Sequence, residues 1–169
     1  MSAVHRCTGI SFSMAAVLLT ACATSAGPGS DAKQQVAAAT KAWIDAMGSH
    51  DQERVVALYA PDAVLWGTTS PTIRDNPASI REYFNLLRTA PAHYKGVLGE
   101  QRIRVYDDVA INTGTYTFVG PAVDAAGIPV SRPARFSFVY RYQGGRWLIV
   151  DHHSSAVPSP KPQPAPTSR

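Results

Sequence analysis

Cysteine is scarce in this sequence: Cys7 and Cys22 are the only two among 169 residues. Because Cys7 falls in an N-terminal segment that we expect to be removed, the remaining chain has a single thiol, which excludes a disulfide and a cysteine-based metal site. Charge runs are missing too, since 16 Lys and Arg and 12 Asp and Glu are scattered along the chain. Nucleic acid is therefore not a predicted partner. With no dinucleotide fingerprint and no clustered metal ligands, no cofactor and no metal are predicted.

A hydrophobic run long enough to span a bilayer is also missing. The apolar stretch at residues 10–20 is too short and follows Arg6, which is typical of a signal peptide. Leu19-Thr20-Ala21-Cys22 resembles the bacterial lipobox, in which the cysteine takes a diacylglycerol anchor. We expect a signal peptide over residues 1–21 and an extracytoplasmic lipoprotein anchored to the cell membrane or outer membrane through lipid on Cys22. The alternative is an ordinary secretory cleavage near this cysteine.

Three segments follow the predicted signal peptide. Residues 22–30 are mostly small and polar, which is typical of a flexible tether. Residues 31–157 have the size of one domain. In residues 158–169 proline alternates with small or polar residues, which favours an extended, disordered tail. Such a tail makes an adaptor role possible, in which it recruits a partner.

Helical spacing dominates the first half of the domain. Apolar residues recur every three or four positions from Val36 to Met47 and predict a first helix. Ser49 with Gln52 forms a capping-box pattern, which predicts a short second helix that Pro61 ends. Asn-Pro at residues 76–77 predicts the start of a third helix, because asparagine is a good N-cap and proline suits the first helical position.

The second half alternates with a period of two. Short strands are predicted at residues 63–66 and 103–106, and longer strands at 109–118, 135–142 and 146–153. Tight turns at Asp107-Asp108 and at residues 143–145 can only join antiparallel neighbours. Three helices followed by a long antiparallel sheet predict an α+β fold, in which the helices cover one sheet face and leave a cavity.

Several motifs point to a family. Gly127-Ile-Pro, Arg146-Trp147 after a Gly-rich turn and His153-Ser-Ser-Ala-Val-Pro158 follow one another, and Tyr83-Phe84 lies on the third helix. With these motifs the chain resembles the NTF2-like (SnoaL-like) superfamily, and in particular the association domain of calcium/calmodulin-dependent protein kinase II and its bacterial relatives. The resemblance runs from about Val36 to Pro158. It implies an NTF2-like cone of three N-terminal helices packed on a curved antiparallel sheet.

The resemblance also implies self-association and a ligand cavity. Members pair sheet to sheet as homodimers, and in the kinase hub the dimers stack into rings. The hub holds a small carboxylate with a histidine and several arginines, but in this chain those positions fall on Ile80, on Tyr116 or Phe118, on Phe138 and on Ser154. A homodimer or larger ring is therefore implied, whereas recognition of a carboxylate is not.

Strand parity predicts the cavity wall, because side chains two residues apart share a face. The shared face carries the following residues: Tyr116, Phe118, Phe136, Phe138, Tyr140, Leu148, Val150, His152 and Ser154. The predicted ligand-binding residues are Trp66, Tyr83, Phe118, Phe138, Tyr140 and Ser154. An aromatic, apolar wall suits a flat or hydrophobic small molecule. The alternative is that these aromatic side chains simply fill a closed core.

Asp151-His152-His153 is the cluster with titratable chemistry. His152 points to the opposite face from its two neighbours, so the histidines cannot chelate one metal together, and Asp151 and His153 are expected at a subunit contact. His152 could act as a general base, with Tyr116 donating a hydrogen bond to a developing oxyanion. The alternative is a histidine that hydrogen-bonds within the sheet.

Besides the adaptor role of the tail, two functions remain open from the sequence alone. The first is a membrane-anchored module that self-associates and binds a small apolar or aromatic molecule. The second is a SnoaL-like enzyme of the isomerase, dehydratase or polyketide-tailoring type, with His152 and Tyr116 as catalytic residues. Whether the chain is an enzyme is left open.

Overall fold

The computed structural model describes residues 28–158. The predicted signal peptide, Cys22 with most of the predicted tether, and the tail beyond Pro158 lie outside these residues. Within them, no helix has both the length and the apolar character needed to cross a membrane.

The described residues form the helices and one strand in the first half of the domain and the other four strands in the second half. In chain order the elements are α1 (Ala32–Gly48), α2 (Gln52–Val56), β1 (Tyr59–Trp66), α3 (Pro77–Tyr83), a 3-10 helix (Phe84–Thr89), β2 (Lys95–Tyr106), β3 (Val109–Val123), β4 (Pro129–Gln143) and β5 (Arg146–Ala156). This order confirms the α+β class, with three α-helices ahead of a sheet that is antiparallel apart from one pair of strands. The strands are longer than predicted, because strand ends leave weak signals in a sequence.

The first helix forms as its apolar spacing predicts. Val36, Thr40, Trp43 and Met47 form its buried stripe, and this stripe packs on β2, β3 and β5. Thr40 fits this buried position because its hydroxyl donates to the backbone oxygen of Val36 at 3.0 Å. The helix therefore covers the sheet with an almost entirely apolar face.

The second helix begins at a different residue from the predicted one. Its N-cap is Asp51, whose carboxylate accepts from the backbone nitrogens of Glu53 and Arg54, whereas Ser49 donates back to Ala46. Pro61 does not end this helix but lies in β1. A proline fits there because β1 is an edge strand of the sheet, and the bridge that its outer side forms with Arg74 is at Leu65, away from Pro61.

The third helix confirms the predicted cap. The Asn76 side chain accepts from the Ser79 backbone nitrogen at 3.0 Å, and Pro77 occupies the first turn. The chain then tightens into the 3-10 helix, which buries Phe84 and Leu87. This segment closes one end of the space above the sheet.

The five strands form one sheet in the order β1-β5-β4-β3-β2. Strands β2 to β5 are antiparallel neighbours, while β1 runs parallel to β5. Asp107, Gly144 and Gly145 have positive φ in the two predicted turns, where tight hairpin loops require it. Register shifts within the β2–β3, β3–β4 and β4–β5 pairs bend the sheet.

The face toward the helices carries most of the predicted cavity side chains. Tyr116, Phe136, Phe138 and Tyr140 are buried there. On β5, however, the register shifts so that Ile149 lies opposite Tyr140 and His152 lies opposite Phe138, which leaves Val150 as the extra residue of a bulge. The prediction that Leu148 and Val150 alternate regularly on the same face as His152 is therefore wrong, because the bulge shifts the alternation between them.

Candidate functional site

A cavity of about 670 Å³ lies between α1, the α3 region and the inner face of the sheet. Much of its wall is aromatic or aliphatic: Trp43, Met47, Tyr83, Phe84, Leu86, Tyr94, Tyr116, Phe118 and Ala134. The lining residues with hydroxyl groups include Thr68, Thr89, Ser131 and Ser154. Arg132, which is exposed, is the one Lys, Arg, Asp or Glu in the described lining. The interior is thus suited to an apolar body rather than to a strongly charged one.

Trp43 is the centre of the aromatic wall. Its indole stacks on Tyr116 with ring centroids 5.6 Å apart, and it meets Phe138 and His152 edge to face at 5.3 and 5.2 Å. Such packing leaves few alternative rotamers for any of the four rings. The wall at this point is therefore rigid before any ligand binds.

His152 lies at the inner end of this wall with 2% of its surface exposed. Its Nδ1 is 2.8 Å from the Tyr59 hydroxyl, and its Nε2 is 3.4 Å from the Tyr116 hydroxyl. Burial, together with the smaller effect of the charge of nearby His153, lowers the pKa of His152 from 6.5 to about 3. The imidazole is therefore neutral at physiological pH.

The predicted catalytic pair does meet, but its geometry favours structure over catalysis. A histidine with a pKa of about 3 is a weak base at pH 7. The Tyr116 hydroxyl is already engaged, since it donates to Ser154 Oγ at 2.5 Å. Burial raises the pKa of Tyr116, so this hydroxyl keeps its proton. Neither group is poised for proton transfer to a ligand.

The structure brings together half of the predicted ligand-binding residues. Tyr83, Phe118 and Ser154 line the cavity, as do His152 and Tyr116. Their role in binding stays a prediction, which their position supports.

Three predicted ligand-binding residues are placed elsewhere, and for these the structure corrects the prediction. Phe138 and Tyr140 are buried away from the cavity, because α1 covers the sheet at this point and Tyr140 hydrogen-bonds Thr40. Trp66 is 44% exposed, because it ends β1 opposite His153, on the sheet face away from the helices.

Sequence reasoning missed several residues of the wall. Trp43 was predicted only as part of the helix core, and Thr68 lies in a loop whose course no periodicity predicts. Arg132 could have been found, since it alternates with Ala134 and Phe136 and so shares their face of β4. Among the described residues, no group of three His, Cys, Asp or Glu is placed to hold a metal ion.

The comparisons with known proteins agree on one family. The family model for the calcium/calmodulin dependent protein kinase II association domain matches residues 32–158. A Xanthomonas campestris protein, provisionally described as such an association domain, is 37% identical; the match covers 78% of this chain and 90% of that one, with a TM-score of 0.66. No curated protein matches the chain.

More distant solved structures share the fold. The association domain of C. elegans CaMKII is 19% identical with a TM-score of 0.61, and the match covers 74% of this chain and 98% of that one. An NTF2-like protein of unknown function from Pseudomonas putida KT2440 is 19% identical with a TM-score of 0.67, over 79% of this chain and 92% of that one. At this identity the likeness shows the NTF2-like fold.

Proposed function

This chain belongs to the calcium/calmodulin-dependent protein kinase II association domain family within the NTF2-like superfamily, and from that membership we propose that it is a self-associating domain that binds one small, largely apolar or aromatic molecule. It holds this molecule without transforming it.

The observation that carries this proposal is the cavity. Its volume of about 670 Å³ lies within the range of pockets that enclose small molecules, about 300–1,000 Å³. Aromatic side chains packed around Trp43 hold the wall in place, so binding costs little ordering of the protein. Burial of an apolar ligand against this wall supplies the affinity.

Binding without chemistry is supported by the state of the titratable groups. His152 was the predicted general base. Its pKa of about 3 makes it too weak a base for this role at neutral pH. No paired carboxylates line the cavity within the described residues. Among the described residues, these observations favour binding over the enzyme alternative.

Self-association is supported by the uncovered sheet face. Ile111 lies opposite Val139 in the centre of the outer face, flanked by Thr113 and Ser137, and all four are half-buried in the single chain. A second copy packed on this face would bury the apolar pair between two sheets. Asp151 and His153, exposed on the same face, would then lie at the contact.

Native mass spectrometry of a form beginning at Ala23, purified from its own host, tests both parts together. We expect a dimer or larger assembly that carries one bound small molecule per chain. Ala134→Leu, which adds atoms to the cavity wall, should abolish uptake of the bound molecule. Ala38→Leu, on the exposed side of α1, is the matched control. A monomer that retains nothing and takes up no aromatic probe would refute the proposal.

We further propose that lipid on Cys22 anchors the domain at a membrane outside the cytoplasm. The support is the lipobox-like Leu19-Thr20-Ala21-Cys22 after an apolar segment, together with the small residues that follow. Metabolic labelling with a radioactive fatty acid should label the wild type but not Cys22→Ser. Equal labelling of both would overturn the anchor.

A further inference from the structure

A chain of hydrogen bonds runs from the core to the cavity. Each neighbouring pair in it is joined through side-chain atoms, and the order is Trp43, Tyr59, His152, Tyr116, Ser154 and Thr68. The distances are 3.1 Å from Trp43 Nε1 to the Tyr59 hydroxyl and 2.5 Å from the Tyr116 hydroxyl to Ser154 Oγ. Ser154 and Thr68 line the cavity, so the chain ends at the cavity wall.

Trp43 sets the direction of this chain. An indole N–H can only donate, so the Tyr59 oxygen accepts from Trp43. The single Tyr59 hydrogen then donates to His152 Nδ1, 2.8 Å away. Nδ1 must therefore lack a proton, and the proton of the neutral imidazole lies on Nε2, which faces Tyr116.

The reverse direction fails at Tyr59. If Nδ1 carried the proton, it would donate to Tyr59, and the Tyr59 hydrogen would have no acceptor at a buried position. A buried donor without a partner costs more free energy than a typical hydrogen bond contributes. The Nε2–H form of His152 is therefore the one that satisfies every group from Trp43 to Tyr116.

The hydrogens at the cavity end can be counted. The Tyr116 hydrogen goes to Ser154, and one hydroxyl hydrogen joins Ser154 to Thr68. These two hydroxyls carry two hydrogens between them, so one is left whichever of them donates to the other. Both residues line the cavity, and Thr68 also lies beside the Tyr116 hydroxyl, so a ligand acceptor has only this weak internal contact to replace.

We propose that the Ser154–Thr68 end of this chain is a hydrogen-bond donor that recognises an uncharged carbonyl oxygen on the bound molecule. This inference rests on the proposed binding function and names the polar group of the ligand. An uncharged acceptor fits because the chain contains no charged group, and burying an ionised group against neutral hydroxyls costs more than the bond returns. The ligand class is an aromatic or aliphatic ketone, ester or amide.

The direction is tested on the protein alone. Nitrogen-15 NMR of the full folded domain distinguishes the two neutral forms of His152, and we expect Nε2–H in the wild type. Tyr59→Phe removes the group that fixes this form, so the His152 signals should shift toward a mixture. Tyr140→Phe removes a buried hydroxyl outside the chain and should leave them unchanged. Wild-type His152 protonated on Nδ1 would overturn the inference.

Recognition of a carbonyl oxygen is tested with two probes of nearly equal shape, 2-acetylnaphthalene and 2-isopropenylnaphthalene. The first has a carbonyl oxygen where the second has a methylene group. The double variant Thr68→Val/Ser154→Ala should weaken the ketone about tenfold, the value of one ligand hydrogen bond, and leave the hydrocarbon unchanged. Thr113→Val/Ser137→Ala removes the same two groups from the outer face of the sheet, away from the cavity, and should change neither.

The possible outcomes distinguish a failure of the carbonyl inference from a failure of the binding function on which it rests. If both probes bind and the Thr68→Val/Ser154→Ala variant weakens them equally, the cavity binds apolar molecules but the carbonyl inference is wrong. If neither probe binds the wild type, the binding function fails and the inference fails with it.

Discussion

The Tyr59 hydroxyl lies 2.8 Å from Nδ1 of His152, although the two residues are 93 positions apart in the chain. The contact joins the start of an edge strand to the middle of its parallel neighbour, beneath Trp43. It holds a neutral histidine in an apolar interior, and this arrangement makes the stability of the fold sensitive to acid.

The free energy of unfolding should decrease as pH falls, because His152 is buried in its neutral form. Its pKa is lowered to about 3 in the folded state, whereas an unfolded histidine titrates near 6.5, so the unfolded chain binds the extra proton between these values. Stability is complete above about pH 6.5 and should fall by up to about 1.4 kcal/mol per pH unit below it. Urea unfolding from pH 7 to pH 4 measures this slope.

The His152→Gln variant should lose that part of the slope while keeping the part due to carboxylates. His93→Gln is the control, because His93 is exposed and lies outside β5. Parallel stability curves for the wild type and His152→Gln would contradict the prediction.

Thr40 is the centre of a second cluster of buried hydrogen bonds. Two substitutions there should lower the free energy of unfolding by different amounts, because one removes a single hydrogen bond and the other leaves buried donors without an acceptor. Thr40 Oγ1 donates to the Val36 oxygen and accepts from Asn112 Nδ2 at 2.8 Å and from the Tyr140 hydroxyl at 2.9 Å. Tyr140→Phe removes one bond and should cost about 1 kcal/mol. Thr40→Val leaves the Tyr140 hydroxyl and one Asn112 amide hydrogen without an acceptor, since Gln101 accepts only the other amide hydrogen, and should cost about 3 kcal/mol. Urea denaturation compares the two, and equal losses would refute this assignment.

Strand parity was enough to predict the face of the sheet but not the position along it. Tyr116, Phe118 and Tyr140 do share one face, because β3 and β4 pair in regular register over these residues. Only the first two reach the cavity, since α1 covers the sheet at Tyr140. Which aromatic side chains lie under a helix depends on where that helix crosses the sheet, and local spacing does not encode this.

Irregular positions were beyond prediction for a related reason. The bulge at Val150 reverses the alternation along β5, and bulges depend on pairing with the neighbouring strand rather than on the strand's own sequence. Asp51 and Ser49 are both good N-cap residues at the start of α2, and the sequence does not show which of them is used. Thr68 reaches Ser154 through a loop that follows β1, so strand parity predicts Ser154 but not its partner Thr68.

Gly67 should control the cavity wall through Tyr83. A Cβ at this position would overlap the Tyr83 ring, which lines the cavity. Overpacking of this kind costs about 1–3 kcal/mol, so Gly67→Ala should displace the ring and weaken 2-acetylnaphthalene about tenfold. At Gly48 a Cβ would meet only ordinary contacts at 3.9 Å, and Gly48→Ala should bind normally. Titration by intrinsic fluorescence reads both, and unchanged affinity in Gly67→Ala would contradict the role of Tyr83.

The outer sheet face should determine the subunit count. Ile111 and Val139 are cross-strand partners on this face, with no helix over them among the described elements. Ile111→Asp would place a carboxylate where two sheets meet, and an unpaired buried charge is strongly unfavourable. We expect light scattering after size exclusion to show a single chain, with helix and strand content intact by circular dichroism. Ala38→Asp, exposed on α1, should remain assembled. An assembled Ile111→Asp would place the interface on another surface and leave the cavity proposal untouched, because the cavity lies on the opposite face of the sheet.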